Sequence, residues 1–158
     1  MSDRDDGPLL AGLLPRTSIE VDAHVRDWKS AVLVANDLLV RSGAVDGAYG
    51  RSMIEMIESE GPYAVIAPGV ALPHARPSHL VHRTELSLVL LREAVAFGHP
   101  VNDPVRLVIA LAAHDPSAHV QALAALARAI AEPARLQSIL SATSASEIAA
   151  ALEESEAT

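Results

Sequence analysis

The segment Ala67-Pro68-Gly69-Val70-Ala71-Leu72-Pro73-His74-Ala75-Arg76-Pro77 sets one histidine between two prolines and follows it with an arginine. Pro73 and Pro77 each fix φ and push the preceding residue toward extended geometry. Gly69 permits a turn or close approach that a side chain would block. The small Ala71 and Ala75 leave the imidazole uncrowded. So stiff a frame suits chemistry better than packing, although a structural histidine hydrogen-bonded at a strand end is the plainer alternative. Neutral imidazole titrates near 6.5 and is a competent nucleophile around neutral pH. No G-x-S-x-G elbow accompanies it, and Ser87 falls in a strand-like run, which leaves a serine hydrolase without its parts. Phosphoryl transfer fits better, because it asks for positioning and charge stabilisation around one nucleophile.

A second histidine is placed to supply that stabilisation. Asp115-Pro116 opens a helix, with Asp115 as N-cap and Pro116 as its first residue. His119 falls in the first turn, where backbone N–H groups and the helix dipole favour an anion. It can there hydrogen-bond a phosphoryl oxygen held on His74; the competing reading is a merely exposed first-turn histidine. Arg76 either neutralises phosphoryl charge, docks a partner, or is simply solvated.

The other histidines do not make a metal site. His79 and His82 lie in a loop-like stretch. His114 and His119 diverge by about 140° on a helix of 3.6 residues per turn. There is no H-E-x-x-H. His24, His79, His82 and His99 read as solvated surface side chains.

The elements that must position His74 and His119 follow from periodicity. Leu9–Val21 reads as an extended lead-in interrupted by Pro15. Val25, Trp28, Val32, Ala35, Leu38 and Leu39 recur at helical spacing up to Arg41, and Ser42-Gly43 ends that helix. A second helix spans Asp46–Ser59, with Tyr49, Met53, Met56 and Ile57 inward, and stops at Gly61-Pro62. Tyr63–Ala67, Glu85–Leu91, the short Ala94–Phe97 and Val105–Ala113 read as strands, the last apolar enough to be buried on both faces. The helix after Asp115 would bury Val120, Leu123, Leu126, Ala127 and Ile130. Pro133 breaks the chain before a short helix at Ala134–Leu140, and Ser144 or Ser146 caps a last one through Leu152. Helices, strands, then helices argue for an α/β sandwich in which helices cover one mixed sheet.

Composition narrows the class. A chain of 158 residues is one domain by size, with residues 1–8 as a disordered tail, 9–153 as the domain and 154–158 as an acidic tail. Half of the residues are hydrophobic, yet only Trp28, Tyr49, Tyr63 and Phe97 are aromatic, so the core is aliphatic. There is no cysteine, which excludes disulfides, thiolate catalysis and cysteine-rich zinc sites. Of the formal charge of −8, all but −2 lies in residues 1–10 and 147–158. A single Lys29 and scattered arginines give nucleic acid no basic patch. The acidic Met1–Gly7 is unlike a signal peptide, and no window approaches the roughly 20 apolar residues of a membrane span. The expectation is a soluble cytoplasmic protein without membrane insertion.

Tyr63-Ala64-Val65-Ile66-Ala67-Pro68-Gly69-Val70-Ala71-Leu72-Pro73-His74-Ala75-Arg76 resembles the active-site signature of enzyme IIA components of the phosphoenolpyruvate-dependent sugar phosphotransferase system, in the mannitol/fructose superfamily, with the ascorbate-type branch closest. Trp28, Ala31 and Leu38-Leu39 resemble that family's first helix, and Tyr49, Met53 and Ile54 its second. Phe97-Gly98, Asp103-Pro104-Val105, Leu107-Val108 and His119-Val120-Gln121-Ala122-Leu123 resemble its later strand and helix. The likeness covers about residues 10–152.

The resemblance implies a phosphotransferase with a phosphohistidine intermediate on an α/β fold. His74 would accept a phosphoryl group from the phosphocarrier HPr and pass it to a cysteine of enzyme IIB, for uptake of an ascorbate-like or a fructose- or mannitol-like carbohydrate. His119 would support the phosphoryl group without accepting it, with Ala75 and Arg76 as further support. No metal or organic cofactor is implied. A regulatory IIA-like module, binding a regulator or transporter according to the state of His74, is the alternative. The oligomeric state, a homodimer included, stays open.

Overall fold

The side chains of two central strands divide this protein into layers. β4 (Glu85–Val95) and β5 (Val105–Ala112) pair antiparallel, with Leu86 opposite Leu111, Leu88 opposite Ile109 and Leu90 opposite Leu107. Successive strand side chains point to opposite faces, so these leucines and isoleucine share one face. Ser87, Val89, Val108, Ala110 and Ala112 share the other. Both faces are buried, as the apolar run Val105–Ala113 predicted for the second of these strands. The bulky face meets one set of helices and the small-residue face another.

The computed structural model describes residues 10–157; the expected tail at residues 1–8 lies outside them. Around the central pair, β1 (Ile19–Ala23) runs parallel to β4, β3 (Val70–Ala71) parallel to β5, and β2 (Val65–Ala67) antiparallel to β3. The mixed sheet therefore has the order β1-β4-β5-β3-β2. α2 (Trp28–Arg41) and α3 (Tyr49–Glu60) cover the small-residue face. α1 (Leu10–Leu13), α4 (Pro116–Ile130), α5 (Pro133–Leu140) and α6 (Ala145–Ala157) cover the other. These three layers make the α/β sandwich, with helices covering one mixed sheet, expected from the element order. Small side chains let α2 come close enough for the buried Ser87 hydroxyl to donate to the Ala35 carbonyl at 2.7 Å.

Several expectations need correction. The lead-in is not extended throughout: α1 and a 3-10 turn at Arg16–Ser18 precede β1. The first long helix begins at Trp28 rather than Val25, because the Asp27 side chain accepts from the Ser30 N–H at 2.8 Å and caps it. Tyr63 belongs to a 3-10 turn, Pro62–Ala64, and not to the strand after it. Ala94–Phe97 is no separate strand, since β4 continues to Val95 after an irregularity beyond Leu90. α6 runs to Ala157, past the expected helix end at Leu152. On α4 the buried residues are Ala122, Ala125, Leu126 and Ala129, while Val120 is 65% exposed. Among the described residues no helix is long and apolar enough to cross a membrane.

Candidate active site

β3 and β5 run parallel, and both point their C-terminal ends at the place where His74 and His119 meet. After β3 the chain stays extended through Leu72 and Pro73, and the Leu111 N–H donates to the Pro73 carbonyl at 3.0 Å. His74 then forms a single parallel bridge with Leu111. Upstream, Gly69 turns β2 into β3 at φ +77°, a conformation that favours glycine. Its N–H donates to the Asn102 carbonyl, and its own carbonyl accepts from Arg106 and Leu107. The stiffness expected from Pro73 and Pro77 is thus completed by pairing with β5 and with the loop before it.

The His74 imidazole is half-buried, with Nδ1 2.8 Å from the Leu72 carbonyl oxygen. A carbonyl only accepts, so Nδ1 carries the proton and Nε2 keeps its lone pair. The His119 ring lies beside it, centroids 5.1 Å apart and planes at 59°. Tyr63 stands on His74 as well, edge-on, with centroids 5.3 Å apart. The sequence places His74 and His119 45 positions apart, and the fold brings them together.

His119 reaches the site from the start of α4. Asp115 is the N-cap as expected, its carboxylate accepting from the Ala118 N–H at 2.7 Å. The His119 N–H is spent on the Asp115 carbonyl at 3.1 Å, and Pro116 has none. This corrects the expectation that free backbone donors of the first turn greet an anion: most are used, and a carboxylate sits among them. The His119 side chain is the group at this end of α4 that faces His74. Its Nδ1 is buried and has no hydrogen-bond partner among the described residues. Burial first, and then the neighbouring His74, lower the pKa of His119 below the ordinary histidine value.

The other expected residues fall differently. Ala75 is buried, and its N–H donates inward to the Tyr49 hydroxyl at 3.1 Å, so it does not point a donor at a group on His74. Arg76 is exposed and forms no ion pair with the described residues. Its guanidinium acts on the Tyr63 hydroxyl, against burial and the Glu60 carboxylate, which raise that group. His24, His79 and His82 are exposed, as expected. His99 is not simply solvated: its Nδ1 accepts from the Val101 and Asn102 N–H groups and shapes the loop on which Gly69 rests. His114 bonds Thr84 through Nδ1 and faces the Asp115 carboxylate with Nε2. Among the described residues no three His, Asp or Glu side chains converge as metal ligands would.

Sequence reasoning assigned no site role to Tyr49 or Tyr63. The available signal was chemical. A tyrosine on the inner face of a helix must find a partner for its hydroxyl, and Tyr49 finds His74's own segment.

The fold agrees with the comparisons. The family described as phosphoenolpyruvate-dependent sugar phosphotransferase system, EIIA 2, matches residues 13–155. The ascorbate-specific PTS system EIIA component of Escherichia coli K12 is 41% identical over 107 residues, which is 68% of this chain and 70% of that protein. Among solved structures, the mannitol-specific cryptic phosphotransferase enzyme IIA of Escherichia coli superposes with a TM-score of 0.82 at 34% identity, over 92% of this chain and 98% of that one. The nitrogen regulatory protein IIA-Ntr of Neisseria meningitidis superposes with a TM-score of 0.76 at 27% identity, over 90% and 97%. A mixed sheet between two helical layers, with paired histidines at the ends of its parallel strands, defines a histidine-centred α/β domain. The chain belongs to the EIIA 2 family of the sugar phosphotransferase system.

Proposed function

We propose that this protein is a phosphocarrier that takes a phosphoryl group from phospho-HPr on Nε2 of His74 and hands it to enzyme IIB during carbohydrate uptake. The observation that carries the reading is the 2.8 Å contact between His74 Nδ1 and the Leu72 carbonyl. It leaves Nε2 as the nucleophile beside His119. In the first step the Nε2 lone pair bonds to phosphorus as the bond to the donor breaks. The ring becomes cationic, and the Leu72 carbonyl accepts from Nδ1–H and stabilises that charge. In the second step a cysteine thiolate of IIB attacks phosphorus, and the electron pair returns to Nε2.

His119 assists without becoming the acceptor. With Nδ1 sealed in and unpartnered, the neutral ring holds its proton on the outer Nε2, since an orphaned buried N–H is the rarer and costlier arrangement. That N–H donates to a phosphoryl oxygen on His74. The donor protein approaches along an apolar groove between β2 and α4, of about 420 Å³, lined by Ile66, Leu72, Leu123, Ala127 and Ile130 among others. Leu72 belongs both to this groove and to the Nδ1 contact of His74, so a protein seated in the groove borders the nucleophile.

Incubation with phosphoenolpyruvate, enzyme I and HPr, followed by mass spectrometry, tests the relay. The wild type should gain one acid-labile phosphoryl group at His74. A His74→Gln protein that still gained one would sink the reading. The 41% identity to an ascorbate-specific component makes an ascorbate-type IIB the first acceptor to try.

A second reading rests on the likeness to a nitrogen regulatory IIA protein: the phosphorylation state of His74 would control docking to a regulator or transporter. It predicts that His74→Glu and wild type capture different partners. Identical capture would remove it.

A further inference from the structure

The Tyr49 hydroxyl, on the first residue of α3, ties together the two stretches of chain that carry the paired histidines. It is fully buried and donates to the Leu111 carbonyl at 2.7 Å. It accepts from the Ala75 N–H at 3.1 Å, one residue beyond His74. A hydroxyl has one proton to donate, and the Ala75 carbonyl, at 3.4 Å, is the poorer acceptor. The proton therefore goes to Leu111 and a lone pair to Ala75. Leu111 also gives its N–H to Pro73. Both backbone polar groups of Leu111 are thus committed to fixing β5 against the His74 segment. From Leu111 the chain runs only to the cap at Asp115 and so to His119.

We infer that Tyr49 is a positioning residue for phosphoryl transfer: its hydroxyl sets the spacing and orientation of His74 relative to His119 without touching the transferred group. Burial pushes the pKa of this hydroxyl up to about 12, so it stays protonated and its donor and acceptor roles hold throughout the working range of pH. No other described side chain accepts from the Ala75 N–H, so without the hydroxyl the backbone next to the nucleophile is held to β5 only by the single bridge between His74 and Leu111. The inference rests on the phosphocarrier reading for its kinetic consequence, though its geometric part stands apart from it.

The test compares Tyr49→Phe with Ser87→Ala in the full chain. Each removes one fully buried hydroxyl that donates to a backbone carbonyl, but Ser87 holds Ala35 on α2 and not the site. With phospho-HPr as donor, Tyr49→Phe should keep labelling at His74 with kcat down at least tenfold and KM within twofold. Ser87→Ala should leave both within twofold. Nuclear Overhauser contacts between the His74 and His119 rings should weaken in Tyr49→Phe only, a readout that needs no transfer. Transfer within twofold of wild type in Tyr49→Phe, or equal slowing by Ser87→Ala, would overturn the inference. Failure of wild type to label at His74 would instead count against the phosphocarrier reading, and the ring contacts would still decide the role of Tyr49. Should Tyr49→Phe not fold, 3-fluorotyrosine incorporated in a Tyr63→Phe background takes its place, because it keeps the hydroxyl but weakens its acceptor side. A kcat at least threefold below the unlabelled background supports the role, and an unchanged kcat overturns it.

Discussion

Tyr63 and His74 are bound to each other twice: the rings meet edge to face at 87° with centroids 5.3 Å apart, and the Tyr63 hydroxyl donates to the His74 carbonyl at 3.3 Å. The His74 ring is therefore held by ring packing as well as by the Leu72 carbonyl. An aromatic pair of this geometry contributes about 0.5–1.5 kcal/mol beyond its buried area. If that contribution orients the ring for transfer, Tyr63→Leu should slow single-turnover transfer from phospho-HPr by roughly threefold to tenfold. Tyr63→Phe, which keeps the packing and loses only a long hydrogen bond at a partly exposed site, should stay within about threefold. Equal rates for Tyr63→Leu and wild type would show that the edge contact does not matter to the reaction.

The neutral state of His119 can be tested by NMR titration. Burial is the larger cause of its lowered pKa and His74 the smaller. Its midpoint should thus lie below 6.5 in the wild type, and should rise in His74→Gln while remaining below 6.5. The folded chain binds this proton less readily than the unfolded one. Stability should then fall as pH drops from 6.5 through the folded midpoint, and His119→Gln should flatten that part of a urea-midpoint profile. His119→Ala should still be labelled at His74 but transfer more slowly, by about tenfold to a hundredfold if one hydrogen bond to the charged phosphoryl oxygens is lost. A midpoint at or above 6.5, or an unaltered transfer rate, would contradict the donor role.

Much of this site is legible in the sequence because its frame is local. Pro73, Pro77 and Gly69 declare a stiff segment around His74, and Asp115-Pro116 declares the helix that carries His119. What is not local is hidden. The Tyr49 hydroxyl meets Ala75 and Leu111 only because α3 packs on the sheet. The rotation of α4 could not be read either. Its first half mixes Ala with Val and Leu on every face, so periodicity gives little contrast. The buried stripe is Ala122, Ala125, Leu126 and Ala129, while Val120 and Ala127 face outward. The sequence marks Leu9–Val21 only as extended, because Pro15 and the charged Glu20 and Asp22 obscure any alternation, and it is the parallel pairing with β4 that makes Ile19–Ala23 a strand.

Asp115 separates capping from charge. Its side chain satisfies the Ala118 N–H at 2.7 Å, and loss of such a cap costs about 1 kcal/mol. Asp115→Ala should lower stability by about that amount in urea unfolding. Asp115→Asn keeps an acceptor there and should lose no more than a few tenths of a kcal/mol. Both remove a negative charge from the start of α4, where an incoming phosphoryl group is repelled by it, so neither should raise KM for phospho-HPr. A stability loss of the same size in both variants would mean that the carboxylate charge, and not the cap, holds the helix.

The groove between β2 and α4 separates docking from chemistry. Of the residues that line it, Ile66 is 43% exposed, and Ala127 on α4 is exposed too. Eight residues of helix place Ala127 about 12 Å along the axis from His119, too far for it to act on a group held by His74. A charge at Ala127 costs the fold little, because the position faces solvent. Against an apolar partner surface it leaves a buried, unpaired carboxylate, which costs several kcal/mol. Ala127→Glu should therefore raise KM for phospho-HPr by tenfold or more while kcat stays within about twofold, and thermal unfolding should not move. Arg26, in the loop between β1 and α2, is exposed and serves as the control, with Arg26→Glu leaving KM unchanged. If Ala127→Glu lowered kcat instead, the groove would belong to the catalytic geometry; if it changed neither constant, phospho-HPr docks elsewhere.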